Sequence, residues 1–216
     1  MFIGHFAVGF AAKRVAPRAS LSVLLAAPLL LDLLWPIFLL LGIESARIAP
    51  GDTRYTPMAF DHYPWSHSLL MTLVWALLFG GGYYALTRYR TGALVIGAGV
   101  VSHWVLDWIT HRPDMPLWPG GPVEGLGLWN SVAGTVIVES LMFVAGLALY
   151  FSVTRARDRI GSVATWAMVV LLAVMYVLSS ISPPPPNTHV IALGGLATWL
   201  FPLWAWWMDR HRAPVV

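Results

Sequence analysis

The sequence predicts an all-α, polytopic membrane protein of about six transmembrane helices plus a short N-terminal half-helix, and three observations carry that reading. The 216-residue chain is 58% hydrophobic, with a mean hydropathy of +0.70. Charged residues make up only 11% of it, against roughly 25% in an ordinary soluble domain. The apolar residues gather into runs of about 20, the length a helix needs to cross the hydrocarbon core.

Taken in order, residues 1–13, "MFIGHFAVGFAAK", are apolar but too short to span, and form a half-depth helix ending at Lys13 and Arg14. Their charges follow the apolar stretch, which argues against a cleaved signal peptide. The next stretch, "KRVAPRASLSVLLAAPLLL", resembles an uncleaved signal-anchor. Spans are expected at about 21–41, 68–87, 93–110, 131–151, 164–182 and 189–208. The last closes on "WLFPLWAWWMDR", a Trp-rich interfacial end. Residues 1–216 read as a single helical membrane domain, with no soluble domain and no internal repeat.

Composition removes several functions. With no cysteine, disulfides, thiolate zinc sites and cysteine catalysis are excluded. A net charge of +3 is too small to argue for nucleic acid. The basic residues are unevenly placed: ten (Lys13, Arg14, Arg18, Arg88, Arg90, Arg155, Arg157, Arg159, Arg210, Arg212) fall on one side of the spans and three (Arg47, Arg54, Arg112) on the other. The positive-inside rule makes the first side cytoplasmic, with both termini there. The 42–66 and 111–130 loops and the "SPPPPNTH" turn then face outward from an inner membrane.

Ionisable residues inside the spans are costly, about 2.5–3.5 kcal/mol each on insertion scales, and mark function by default. Counting 1.5 Å per helical residue from the nearest cytoplasmic arginine puts Asp32 about 21 Å up, His103 about 20 Å, Asp107 about 26 Å and Glu139 about 24 Å. His67 comes out at about 32 Å and His5 at about 12 Å. The acids and imidazoles of several helices thus converge on the outer half of the membrane, as one polar site open to the outside. In "SHWVLDWITH", His103, Asp107 and His111 recur every four residues on one helix face; the depth count leaves His111 at the rim.

Each residue has a plain alternative. His103 and Asp107 could share an intrahelical hydrogen bond, Glu139 could sit neutral between helices, and Ser66 beside His62 and His67 could cap a helix. Imidazoles and carboxylates without thiols suit a divalent metal, zinc first, with manganese or iron as alternatives. One or two ions so held would lower the pKa of a bound water and stabilise attack on phosphorus. Glu139 or His62 could then serve as catalytic base, and Trp65, Trp104, Trp108 and Trp118 as walls for a lipid-like substrate. A proton- or divalent-ion-coupled transporter, a haem protein and a scaffold without chemistry are the alternatives. The sequence leaves the oligomeric state open.

"MFIGHFAVGFAAKR", the Asp32 helix, "HYPWSHS" and "SHWVLDWIT" together resemble the LexA-regulated, membrane-bound metal-dependent hydrolases over roughly the first 120 residues. The shared patterns are Gly4-His5, the acid Asp32, His62, His67 and Ser68 as His-x4-His-Ser, and His103 with Asp107 as His-x3-Asp. Tyr63 and Pro64 stand where that family usually has Arg-Gly, and Asp32 lacks the preceding proline. The ligand order is also similar to that of zinc-dependent phospholipases C. These resemblances imply a hydrolase acting on a phosphoester of a lipid or lipid-linked substrate, with His5, Asp32, His67, His103 and Asp107 as metal ligands.

Overall fold

The computed structural model describes residues 1–215. Helix α1 (Ile3–Val15) is followed by α2 (Leu21–Leu40). A hairpin of β1 (Ser45–Ile48) and β2 (Met58–His62) leads to a one-turn helix α3 (Pro64–His67). Then come α4 (Leu69–Thr87), α5 (Arg90–Thr110), the short strands β3 (Met115–Pro116) and β4 (Val123–Glu124), and α6 (Val132–Val153). Strand β5 (Thr154–Ala156) precedes α7 (Arg159–Ile181), α8 (Thr188–Ala197), α9 (Leu200–Met208) and β6 (Arg212–Pro214).

Six segments are long and apolar enough to span: 21–40, 69–87, 90–110, 132–153, 159–181 and 188–208. They match the expected spans, with two adjustments. The fifth begins at Arg159 because Asp158 caps it, accepting the Gly161 N–H on Oδ1 at 2.8 Å. The sixth is broken into α8 and α9 at Thr198–Trp199.

Two prolines shape α2. Pro28 and Pro36 lie inside the helix, and a proline lacks the N–H that would pair with the carbonyl four residues earlier. The Leu24 and Asp32 carbonyls therefore have no helical donor. Lipid offers no water to replace that bond, so neighbouring helices must pack closely there.

Glycines permit that packing. A Cβ on Gly9 would lie 2.8 Å from the Leu24 carbonyl oxygen. One on Gly99 would lie 3.0 Å from the Ala27 Cβ, which brings α5 onto α2 one turn before His103. Gly146 of α6 sits directly against the Ala7 backbone of α1, a small-residue contact of the kind that lets membrane helices approach. The largest core cluster then fills the space between α1, α2, α6, α7 and α9, with Phe6, Phe10, Leu25, Phe143, Met168 and Phe201 among its members. It holds α1 as a short buried helix whose N-terminal end meets the C-terminal halves of α2 and α5 and the N-terminal half of α6.

Overpacking a close contact costs about 1–3 kcal/mol. Gly146→Leu is therefore expected to lower the thermal midpoint of the detergent-solubilised protein, whereas Gly194→Ala, with nothing within 4 Å of its added Cβ, is expected to leave it in place. Equal midpoints for the two variants would contradict the α1–α6 packing.

Candidate metal centre

The site forms where α1, α2, α3 and α5 meet. Two groups of three side chains each bring ligand atoms within 4.8 Å of one another: His5, His103 and Asp107, and Asp32, His67 and His103. All five ligands expected from the sequence are therefore brought together. His5, His67, His103 and Asp107 are buried, and Asp32 is half-buried.

Each histidine's orientation has a local cause. His103 Nδ1 lies 2.7 Å from the Pro28 carbonyl oxygen. A carbonyl can only accept, so Nδ1 carries the proton and Nε2 is left to face inward. His67 Nδ1 lies 2.6 Å from Ser66 Oγ. The Ser66 hydroxyl donates to Glu44 Oε2 at 2.7 Å, so its oxygen accepts from His67 and again frees Nε2. Glu44 Oε1 accepts the Trp65 and Ser66 N–H groups, both at 2.8 Å, and so holds the first turn of α3. The serine that caps α4 is Ser68, which accepts the Met71 N–H, while Ser66 orients the ligand.

The freed nitrogens converge. His67 and His103 Nε2 are 3.3 Å apart. His103 Nε2 is 3.0 Å from Asp107 Oδ2 and 3.8 Å from Asp32 Oδ1. His67 Nε2 is 3.6 Å from Asp32 Oδ1 and 3.9 Å from Asp107 Oδ2. With neutral rings, every atom here is an acceptor, and acceptors packed in a dry interior repel unless a cation lies among them. His5 stacks on His103 with ring centroids 3.9 Å apart, and its Nε2 is 3.1 Å from Asp107 Oδ1. The Met1 amino group also pairs with Asp107 Oδ1 and so supplies one positive charge at this edge.

His111, expected at the rim, is buried. Its Nδ1 is anchored on Asp114 Oδ1 at 2.9 Å and its Nε2 is 3.9 Å from Asp107 Oδ2. Burial pushes this imidazole below its ordinary pKa against the pull of Asp114 and Asp107. Arg112 fixes the loop beneath, reaching Asp52 at 2.6 Å and Asp114 at 3.1 Å. The Tyr63 hydroxyl donates to the Asp114 carbonyl at 3.0 Å, and burial followed by the Asp114 charge raises its pKa well above normal.

Glu139 lies across the cavity. Its Oε2 accepts the Phe2 and Gly4 N–H groups at 2.8 and 3.1 Å, capping α1, while Oε1 is buried without a partner. The other expected catalytic residue, His62, is not brought to the site. It ends β2 with an exposed side chain, paired with Ser45 where the hairpin register shifts. The expected aromatic walls are also displaced. None of Trp65, Trp104, Trp108 and Trp118 lines the cavity of about 320 Å³; Trp35, Phe60, Trp129, Met175 and Ile191 do, beside Asp32, His67, Asp107, His111 and Glu139.

Searches of curated proteins and of solved structures return no match. The family model described as YdjM inner membrane protein matches residues 1–182, a stretch that holds every residue of the cluster and five of the six spans. The chain is a multi-pass protein of the inner membrane and belongs to the YdjM inner membrane protein family.

Proposed function

We propose that this chain is a membrane-embedded, metal-dependent hydrolase acting on a phosphoester of a lipid or lipid-linked substrate at the outer face of the inner membrane. The observation that carries the reading is the convergence of His67 and His103 Nε2, 3.3 Å apart with both Nδ1 protons already committed. Such a pair, flanked by Asp32 and Asp107, suits a divalent cation with nitrogen and oxygen preference, zinc above manganese or iron. The donor set is large enough for one ion on His67, His103, Asp32 and Asp107, with His5 and His111 at hand for a second.

A divalent ion held there would supply Lewis acidity toward a phosphoryl oxygen. The remaining tasks fall to the chain's own residues. The Pro28 carbonyl and the Ser66–Glu44 pair hold the two imidazoles against rotation, the part that outer hydrogen bonds play around metal ligands. Glu139 Oε1, unpartnered among the described residues at the cavity wall, would accept the proton of an attacking water. Trp35, Phe60, Trp129, Met175 and Ile191 exclude bulk water and favour an apolar substrate body. The ten-to-three distribution of basic residues supports placing this end of the bundle outward. The apolar packing of Phe10, Leu21, Leu25 and Tyr150 below it favours a closed site over a transport path.

Metal analysis of the purified protein tests the reading first. Wild type is expected to carry a stoichiometric divalent metal, and His103→Ala and Asp107→Ala to lose it; near-zero metal in all three would end the proposal.

Glu44→Gln is expected to weaken metal affinity about 10–100-fold through His67, although it touches no ion. Competition with a chelator measures this, and unchanged affinity would remove Glu44 from the role.

Glu139→Gln is expected to keep its metal yet slow release of phosphorylated headgroup from mixed phospholipid micelles by about 10²–10⁴-fold. Full activity in this variant would exclude Glu139 as the base.

A further inference from the structure

The opposite end of the bundle holds a second cavity, of about 280 Å³, lined by Lys13, Arg18, Arg157, Asp209 and Arg212. Its charges do not balance. Ten of the chain's 13 basic residues lie at this end, against only two of its ten acids, Asp158 and Asp209. Both acids are occupied by helix ends. Asp209 accepts the Leu21 N–H on Oδ2 at 2.6 Å and has Lys13 Nζ 3.7 Å from Oδ1. Asp158 accepts the Gly161 N–H at 2.8 Å and pairs with His211 at 2.7 Å.

Arg212 is the telling residue. It is only 7% exposed, and among the described residues no carboxylate lies within ion-pair distance of it. Its guanidinium donates to Thr154 Oγ1 at 2.9 Å and to the Thr154 and Gly161 carbonyl oxygens at 3.4 Å, and lies 5.2 Å from the Tyr150 ring centroid and 5.3 Å from that of Phe151. Among the described residues the buried Nε–H has no partner. A guanidinium cannot shed its proton, so a buried one draws an anion toward it. Arg18 and Arg157 are exposed at the same cavity, open to the level where lipid headgroups lie.

We propose that this cavity binds a phosphate group, carried by an anionic phospholipid headgroup or taken up as the free ion. Arg212 provides the buried contact, with its planar fork matched to phosphate oxygens. Arg18 and Arg157 provide the outer ones. The site is separate from the His/Asp cluster and does not depend on the function proposed for it.

The test uses the full chain, delipidated in detergent, with phosphatidylglycerol, phosphatidylcholine and inorganic phosphate as probes, read by native mass spectrometry and thermal unfolding. Wild type is expected to retain phosphatidylglycerol over phosphatidylcholine. Arg212→Gln also removes the Thr154 bond, so Arg18→Gln and Arg157→Gln serve as the companion variants. Each is expected to weaken phosphatidylglycerol binding about fivefold while leaving the metal content unchanged. Displacement only by anionic lipid assigns the site to a headgroup. Stabilisation by inorganic phosphate, sensitive to the same substitutions and without lipid preference, assigns it to the free ion. Equal retention of both lipids together with no effect of phosphate, or binding unchanged in both arginine variants, would overturn the proposal.

Discussion

A histidine can offer a lone pair to a site only when its other ring nitrogen has somewhere to put a proton. Inside a bilayer no water meets that need, so the backbone and a few polar side chains must. Here the Pro28 carbonyl serves His103, the Ser66–Glu44 pair serves His67 and Asp114 serves His111. Much of this end of the fold follows from these three attachments. The first requires α5 to lie against α2 at Gly99. The second requires a separate one-turn helix ahead of α4. The third requires the 112–127 loop to fold back, with the Gly127 N–H donating to the His111 carbonyl at 2.6 Å.

The same economy of polar groups marks the rest of the molecule. Four of the eight carboxylates outside the cluster are committed to backbone N–H groups at helix starts: Glu44 at α3, Glu139 at α1, Asp158 at α7 and Asp209 at α2. Each meets the unpaired donors of a helix start with a full negative charge, where the helix dipole favours it. The acids thus serve twice. They terminate helices in a solvent that cannot, and at the basic end Asp158 and Asp209 are too few to pair with the ten cations there, Lys13 alone lying near Asp209.

The helical fold was legible because bilayer thickness sets one length for every span and the composition leaves few alternatives. The clustering was legible for a related reason: depth can be counted along helices, and His103, Asp107 and Asp32 sit on long ones. His5 came out too shallow by that count, since α1 does not start from the same level as a full span. Glu44 carried no depth signal at all. It lies in a loop after α2 and becomes buried only because α3 folds against it, a contact 22 residues away in sequence. His111 follows the end of α5, so counting placed it at the rim, and only the returning loop encloses it. His62 was misplaced by proximity to His67, because nothing in five residues of β2 announced the strand that turns it outward.

The two ligand groups differ in how much of the chain supports them. Asp32, His67 and His103 come from α2, α3 and α5, all complete by residue 110. His5 also appears early, but α1 finds its most extensive packing on α6, through the Ala7–Gly146 contact and the Glu139 cap. The first triad thus draws its support from the first half of the chain alone, whereas the position of His5 also depends on α6, whose Glu139 caps the helix that carries it.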